Sequence, residues 1–208
     1  MDKKLLRYYS SSINQKLKIY LKKDKKILNT KNANYSYDGL QKVLNKGLKR
    51  IPINKINSVL ILGMGAGSVV ESLRNIFFYY GPILGVELDP VVIEIAEKEF
   101  NISQFHDVEI VKADGKKFLK NHTKQYDLII IDIFIDIKVP KRFYSQKFWK
   151  KVENRVQLNG FVLFNAGIDL TEKEIDKFLN SLPISFVYMV KTEVLKSNTL
   201  IILQKIIE

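Results

Sequence analysis

The stretch from Ser58 to Leu73 constrains the chain most. It reads Ser-Val-Leu-Ile-Leu-Gly-Met-Gly-Ala-Gly-Ser-Val-Val-Glu-Ser-Leu. Val59 to Leu62 is an apolar run of strand length, as expected for a strand covered on both faces of a parallel sheet. Gly63, Gly65 and Gly67 follow in alternation, and the pattern then turns helical. Glycine lets a backbone turn sharply and approach a ligand closely, and the new helix aims unpaired N–H groups over the turn. A second apolar strand, Gly85-Val-Glu-Leu-Asp89, ends in acid, and Glu87 lies 20 residues beyond Gly67. Nucleoside-binding α/β folds place a ribose-binding carboxylate at about that distance, ~20 residues. Together the two stretches indicate a nucleoside-binding α/β domain.

Beyond Ser58 the pattern alternates. Strands are expected at 58–63, 83–88, 108–113, 127–134 and 161–166, and helices at 67–79, 90–100, 115–121, 145–156 and 171–180. Such alternation implies a parallel sheet with helices on both faces. Two last apolar runs, 184–191 and 198–206, are joined by a link too short for a crossover, so the sheet should end in an antiparallel hairpin. Before Ser58, Lys16 to Leu21 alternates polar and apolar, and Lys22 to Lys25 can turn it back into Lys26 to Asn29, giving a hairpin. A polar loop is expected at 31–34, and 37–48 reads as a helix ended by Pro52. The division is an appendage at 1–50 and a nucleoside-binding, Rossmann-like domain at 51–208.

The composition excludes several functions. The chain has no Cys and only His106 and His122, which removes disulfides, thiolate metal sites and histidine-rich metal sites. No metal is expected. No apolar stretch approaches the ~20 residues of a membrane span, and Met1 to Tyr9 lacks the apolar core of a signal peptide, so the expected location is cytoplasmic. Of the net charge of +12, residues 1–50 carry +11. A basic arm on a neutral domain suits contact with RNA, but the favoured reading is a lysine-rich composition left in solvent.

Ligands of open α/β sheets sit beyond the carboxyl ends of the strands. Glu87, Asp89, Asp114 and Asp132 all fall there. Glu87 can accept from both ribose hydroxyls. Asp114 has two readings, an acceptor for an adenine amino group or the N-cap of the following helix. Asp89, ahead of Pro90, reads as a helix cap. Asp127 and Asp132 bracket a buried strand, and Asp132 is read as lying near the reacting group. Asp136 falls in a loop, 133–144, expected to cover the cleft.

These residues resemble the spermidine synthase-like family, built on the class I S-adenosylmethionine-dependent methyltransferase fold. Val59 to Ser68 is similar to its nucleoside loop, Gly85 to Ala96 to its ribose strand and next helix, and Ala113-Asp-Gly115 to its adenine turn. Tyr126 to Asp132, with Pro140 and Phe148, resembles its catalytic strand and gate loop. Tyr35-Ser-Tyr37 is similar to the Phe-Ser-Tyr that follows its N-terminal hairpin. The resemblance implies that Gly63, Gly65, Gly67, Glu87, Asp114 and Gly115 bind the nucleoside and that Asp132 orients or deprotonates an attacking amine. Tyr37 and Asp136 would line the acceptor groove. Family members are often dimers, so the resemblance leaves a homodimer open beside the small-molecule amine, although no self-complementary surface is legible in the sequence.

The resemblance implies S-adenosylmethionine or its decarboxylated form as the donor. Aminopropyltransferases carry Gly-Gly-Gly-Asp-Gly-Gly in the nucleoside loop, where this chain has Ala66 in place of the Asp, and Met64 and Ser68 in place of two glycines. Loss of an acid beside a helix N-terminus suits the carboxylate of the intact donor better than a bare ammonium. Methyl transfer to an amine is therefore slightly favoured. The alternative is aminopropyl transfer to putrescine. RNA methylation through the basic arm and a non-catalytic nucleoside-binding subunit are further readings.

Overall fold

A computed structural model describes residues 3–30, 34–168, 170–195 and 198–207. Most of the loop expected at 31–34, and residues 196–197 of the hairpin link, lie outside the described residues. The larger sheet has seven strands in the order β10-β11-β9-β8-β5-β6-β7. Its centre is β5 (Val59–Leu62), flanked by β6 (Ile83–Glu87) and β8 (Tyr126–Ile131), both parallel to it. Strand β7 (Val108–Lys112) continues the parallel set at one edge, and β9 (Val156–Ile168) continues it on the other side. Strands β10 (Phe186–Val194) and β11 (Asn198–Lys205) form the expected antiparallel hairpin, with β11 paired to β9.

Every residue of β5 is buried, because the two faces of the sheet carry separate cores. Val59 and Ile61 face a core shared with α1 (Gly39–Leu48), α2 (Ser68–Asn75) and α3 (Pro90–Lys98). Leu60 and Leu62 face the other core, built around Trp149 on α5 (Gln146–Glu153), with α4 (Gly115–Asn121) and α6 (Glu172–Leu179) on the same side. The period of two in β5 thus feeds two layers of helix. Helix α2 ends at Asn75, short of the expected residue 79. Phe78 takes a positive φ of 54°, and the Arg74 guanidinium binds the carbonyls of Tyr79 and Gly81, which fixes a turn where the periodicity alone suggests helix.

The N-terminal part holds more than the expected hairpin and helix. It is an antiparallel sheet of four strands, β1 (Lys4–Ser11), β2 (Gln15–Lys22), β3 (Lys25–Asn29) and β4 (Asn34–Ser36), followed by α1. The hairpin is β2 and β3. Strand β1 gives no sequence signal because nearly all of it is exposed at the sheet edge, and a bulge between Leu5 and Arg7 breaks its alternation. No buried face imposes a pattern there.

This sheet is tied to both ends of α3. At the N-terminus Asp89 caps the helix through the Val91 N–H at 2.9 Å, and it also accepts from Ser11 Oγ and from Asn14 Nδ2. At the C-terminus Glu99 accepts from Arg7 and from the Tyr9 hydroxyl, both at 2.7 Å, and from Lys26 at 2.9 Å. Burial disfavours a charged Glu99, but the bonds from Lys26 and Tyr9 and the nearby cations outweigh it and hold the carboxyl below its usual range. Among the described residues, no helix is long and apolar enough to cross a membrane.

The Glu99 clamp has a signature in acid. A carboxyl whose folded-state pKa lies below the unfolded one stabilises fully above about pH 5 and loses that stabilisation as pH falls below about 4. Glu99→Gln is expected to lower the urea midpoint at neutral pH and to flatten the decline in acid. A midpoint equal to wild type would mean the clamp contributes nothing.

Candidate active site

The site lies beyond the carboxyl ends of β5, β6 and β8. At the end of β5 the chain turns with φ of 83° at Gly63 and 58° at Gly65. A Cβ on Gly63 would collide with the Asp132 carbonyl. The Asp132 N–H donates to the Leu62 carbonyl at 2.9 Å, so the turn and the acid at the end of β8 are held against each other. A Cβ on Gly65 would make only ordinary contacts with Ser36 and Tyr35, at 3.7 Å and beyond, so the positive φ and not crowding is what favours glycine there.

Glu87, at the end of β6, is 4% exposed and fixes the turn. One oxygen accepts from the Gly65 N–H at 2.9 Å, and the other accepts from Leu88 and Asp89 at 2.8 and 3.0 Å. A carboxylate has about four acceptor positions, so about one remains for a ligand hydroxyl. Burial pushes the Glu87 carboxyl up, and the three backbone N–H bonds oppose that shift.

Asp114 takes its N-cap reading and adds an ion pair. One oxygen caps α4 through the Lys117 N–H at 3.0 Å, and the other pairs with Arg142 at 2.7 Å. An adenine amino group would therefore have to exchange with Arg142. Gly115 opens α4, with Leu62 and Ile133 beneath it. A small cavity runs between Glu87, Asp114, Gly115, Pro140 and Arg142 and is also lined by Gly63; of the other residues expected to bind nucleoside, Gly65 lines the adjoining cavity and Gly67, packed against Ile102, lines neither.

A larger cavity of about 270 Å³ adjoins it, and Tyr35, Gly63, Asp132 and Phe134 line both. Asp132 receives a hydrogen bond from Asn165 Nδ2 at 2.9 Å. Burial pushes its pKa up to about 7, against the Asn165 bond and with help from the charge of Glu87. Asp136, at a positive φ of 55°, also lines the larger cavity, and it accepts from the Thr30 hydroxyl at 2.9 Å. The remaining wall is largely aliphatic, from α1, α2 and the ends of β9 and β10.

The two tyrosines take positions that differ from expectation. Tyr37 lines neither cavity. A φ of 69° turns it away, its ring stacks on Phe100 at 4.3 Å, and its hydroxyl reaches the Ala66 carbonyl at 3.4 Å. Tyr35 takes the position between the cavities, with burial holding its hydroxyl well above the usual range and therefore protonated. Ala66 is itself fully buried and lines neither cavity, so this position bears less directly on the donor than its place in the loop suggests. Asn165 escaped sequence reasoning. Its signal is a fully buried amide within the apolar run Phe161 to Ala166, a position that demands partners.

A glycine turn, a buried acid at the end of the next strand and a pocket between them form the arrangement expected at the ligand end of an open α/β sheet. The narrower assignment follows from comparison. Residues 43–196 match the spermine/spermidine synthase domain, and the chain belongs to that family. Polyamine aminopropyltransferase 2 of Aquifex aeolicus is 30% identical over 132 residues, 59% of this chain and 26% of that protein. The chain thus spans about a quarter of the length of that curated relative. A probable spermidine synthase from Corynebacterium glutamicum superposes with a TM-score of 0.77 at 16% identity, covering 96% of this chain and 79% of the other. Human methyltransferase-like protein 13, solved in complex with SAH, superposes with a TM-score of 0.62 at 24% identity, covering 81% of this chain and 79% of the other. These two superpositions establish the shared fold.

Gly63→Ala tests the turn. Its Cβ meets backbone, which cannot swing aside, so a loss of about 1–3 kcal/mol in stability is expected together with loss of adenosyl-nucleoside binding. Glu87→Ala is expected to weaken nucleoside binding. Unchanged calorimetric affinity would mean that the ribose is held elsewhere.

Proposed function

We propose that the chain transfers an aminopropyl group from decarboxylated S-adenosylmethionine to the nitrogen of an amine. The observation that carries this reading is the charge of the larger cavity. Asp132 and Asp136 line it and, among the described residues, no Lys, Arg or His does. A donor ending in a bare ammonium is attracted there. A donor ending in an amino acid brings a carboxylate toward two like charges, with only the N–H groups at the start of α2 to receive it. Family membership and the relative named as a polyamine aminopropyltransferase support the same direction. Methyl transfer rests on that helix start alone and is the weaker reading. Residues 51–208 would form the transferase domain, with 1–50 as its appendage.

In the proposed reaction the amine lone pair forms a bond to the carbon next to the sulfonium. The carbon–sulfur bond breaks, its electron pair stays on sulfur, and methylthioadenosine leaves. The amine sheds one proton. Asp132 lines both cavities and titrates near neutrality, which suits it to accept that proton. Asn165 is a positioning residue that holds the Asp132 carboxylate through one oxygen and leaves the other for the amine. Glu87 and the turn from Gly63 to Gly67 would hold the nucleoside, with Asp114 and Gly115 at its base. Alignment of the reacting pair can supply about 7–11 kcal/mol of the barrier.

Asp132→Asn is expected to reduce methylthioadenosine release by about 10²–10⁴-fold while nucleoside affinity stays nearly constant. Wild-type turnover should rise with pH through about 7 as Asp132 ionises. Its folded-state pKa lies above the unfolded one, so the ionised acid destabilises the fold increasingly as pH rises between them. The Asn variant should therefore gain more in melting temperature at about pH 8 than at about pH 5. Unchanged turnover, or a flat pH profile, would remove Asp132 from the mechanism.

A further inference from the structure

We infer that the adjoining outer faces of α4 and α5 form a docking surface for the phosphate backbone of a nucleic acid, independent of the transfer reaction. Each helix carries two lysines one turn apart, Lys116 and Lys120 on α4, Lys147 and Lys151 on α5. Residues four apart on a helix share a face, about 5–6 Å from each other. The two helices pack side by side, with Leu119 and Val152 in the core beneath, so the pairs converge into one group of four ammoniums. Lys151 feels the other three: desolvation first, then the charges of Lys120, Lys116 and Lys147, hold it below its usual pKa. No acid offsets the group. Among the described residues none of the four makes an ion pair, and the acids at the ends of these helices are taken, Asp114 by Arg142 and Glu153 by Lys150, both at 2.7 Å. Like charges at this spacing destabilise a helix, and a bound polyanion relieves them.

The occupant follows from what this face offers and lacks. Lys147, Lys150 and Lys151 line a groove of about 670 Å³. Glu153 is the acid of its described lining, and the rest of the wall, Gln146, Asn154, Pro183 and Ile184, is uncharged. Protein interfaces are anchored by aromatic and aliphatic side chains, and membrane surfaces take up the apolar stripe of a helix. Here Leu119, Phe148, Trp149 and Val152 are turned into the core, and Ile184 is the exposed apolar side chain of the groove. A phosphate backbone needs no anchor, because it binds by charge. The N-terminal part carries more charge in sequence, but Arg7, Lys22, Lys26 and Lys42 are spent on Glu99 and Asp38.

The test is fluorescence anisotropy of a labelled oligouridine titrated with the full chain across a salt series. One variant combines Lys116→Gln, Lys120→Gln, Lys147→Gln and Lys151→Gln. A reference variant combines Lys4→Gln, Lys16→Gln, Lys23→Gln and Lys25→Gln, which removes the same charge from the N-terminal sheet. The wild type is expected to bind at low salt. The α4–α5 variant should bind at least about tenfold more weakly, with a log–log salt slope shallower by about 3, the share of four phosphate contacts on a single strand. The reference variant should stay within about twofold of the wild type. At low salt the α4–α5 variant should melt no lower than the wild type, since four mutually repelling charges are gone, so that lost binding is not lost folding. No binding by the wild type, an unchanged slope, or an equal loss in the two variants would overturn the inference. Polyglutamate displacing the oligouridine at equal charge concentration would overturn the choice of a nucleic acid over an acidic protein.

Discussion

The approach of Gly63 to the Asp132 carbonyl is the contact on which the site depends. Two neighbouring parallel strands end together there, one turning into the glycine loop and the other delivering an acid. Any side chain at position 63 would push the two ends apart. With the ends joined, the Gly65 N–H reaches Glu87 on the third strand, and three strand ends become one rigid floor. The buried strands below hold that floor with side chains locked on both faces. The N-terminal sheet, clamped to α3 at Asp89 and Glu99, brings Tyr35 over it as the partition between two cavities.

Electrostatics then separates the cavities by task. In the smaller cavity the acids are already engaged: Glu87 by three backbone N–H groups, and Asp114 by a helix cap and Arg142. These carboxylates define shape and accept a small number of further bonds. On the other side the Asp132 side chain accepts from Asn165, and its pKa is raised to about 7 by burial. The same desolvation that makes ionisation costly makes the acid a useful base near neutral pH. In the proposed reaction, the absence of cations from the described lining of that cavity is what would let two acids select an ammonium.

The parallel sheet, its terminal hairpin, and the placement of Glu87 and Asp132 at strand ends were legible in the sequence, because continuous apolar runs and glycine turns follow directly from burial. Strand β1 was not legible, since an exposed edge strand with a bulge obeys no burial pattern. The exchange of Tyr35 for Tyr37 was hidden as well. It hangs on a positive φ at a tyrosine, which no side-chain pattern announces. Ala66 misled for a related reason, since proximity to the loop in sequence did not translate into exposure to the cavity. Asn165 was visible in principle as a polar interruption of a buried strand, but its partner comes from a different strand and emerges only from the pairing of β8 with β9.

The central claim is that a cavity lined by carboxylates, with no cation among its described residues, selects the donor by the charge of its end group. Calorimetric titration of the purified chain with S-adenosylmethionine and, separately, with its decarboxylated form tests this directly. The account expects the decarboxylated donor to bind at least about tenfold more tightly at neutral pH, with the preference weakening at high salt. Equal affinity, or tighter binding of the intact donor, would contradict it.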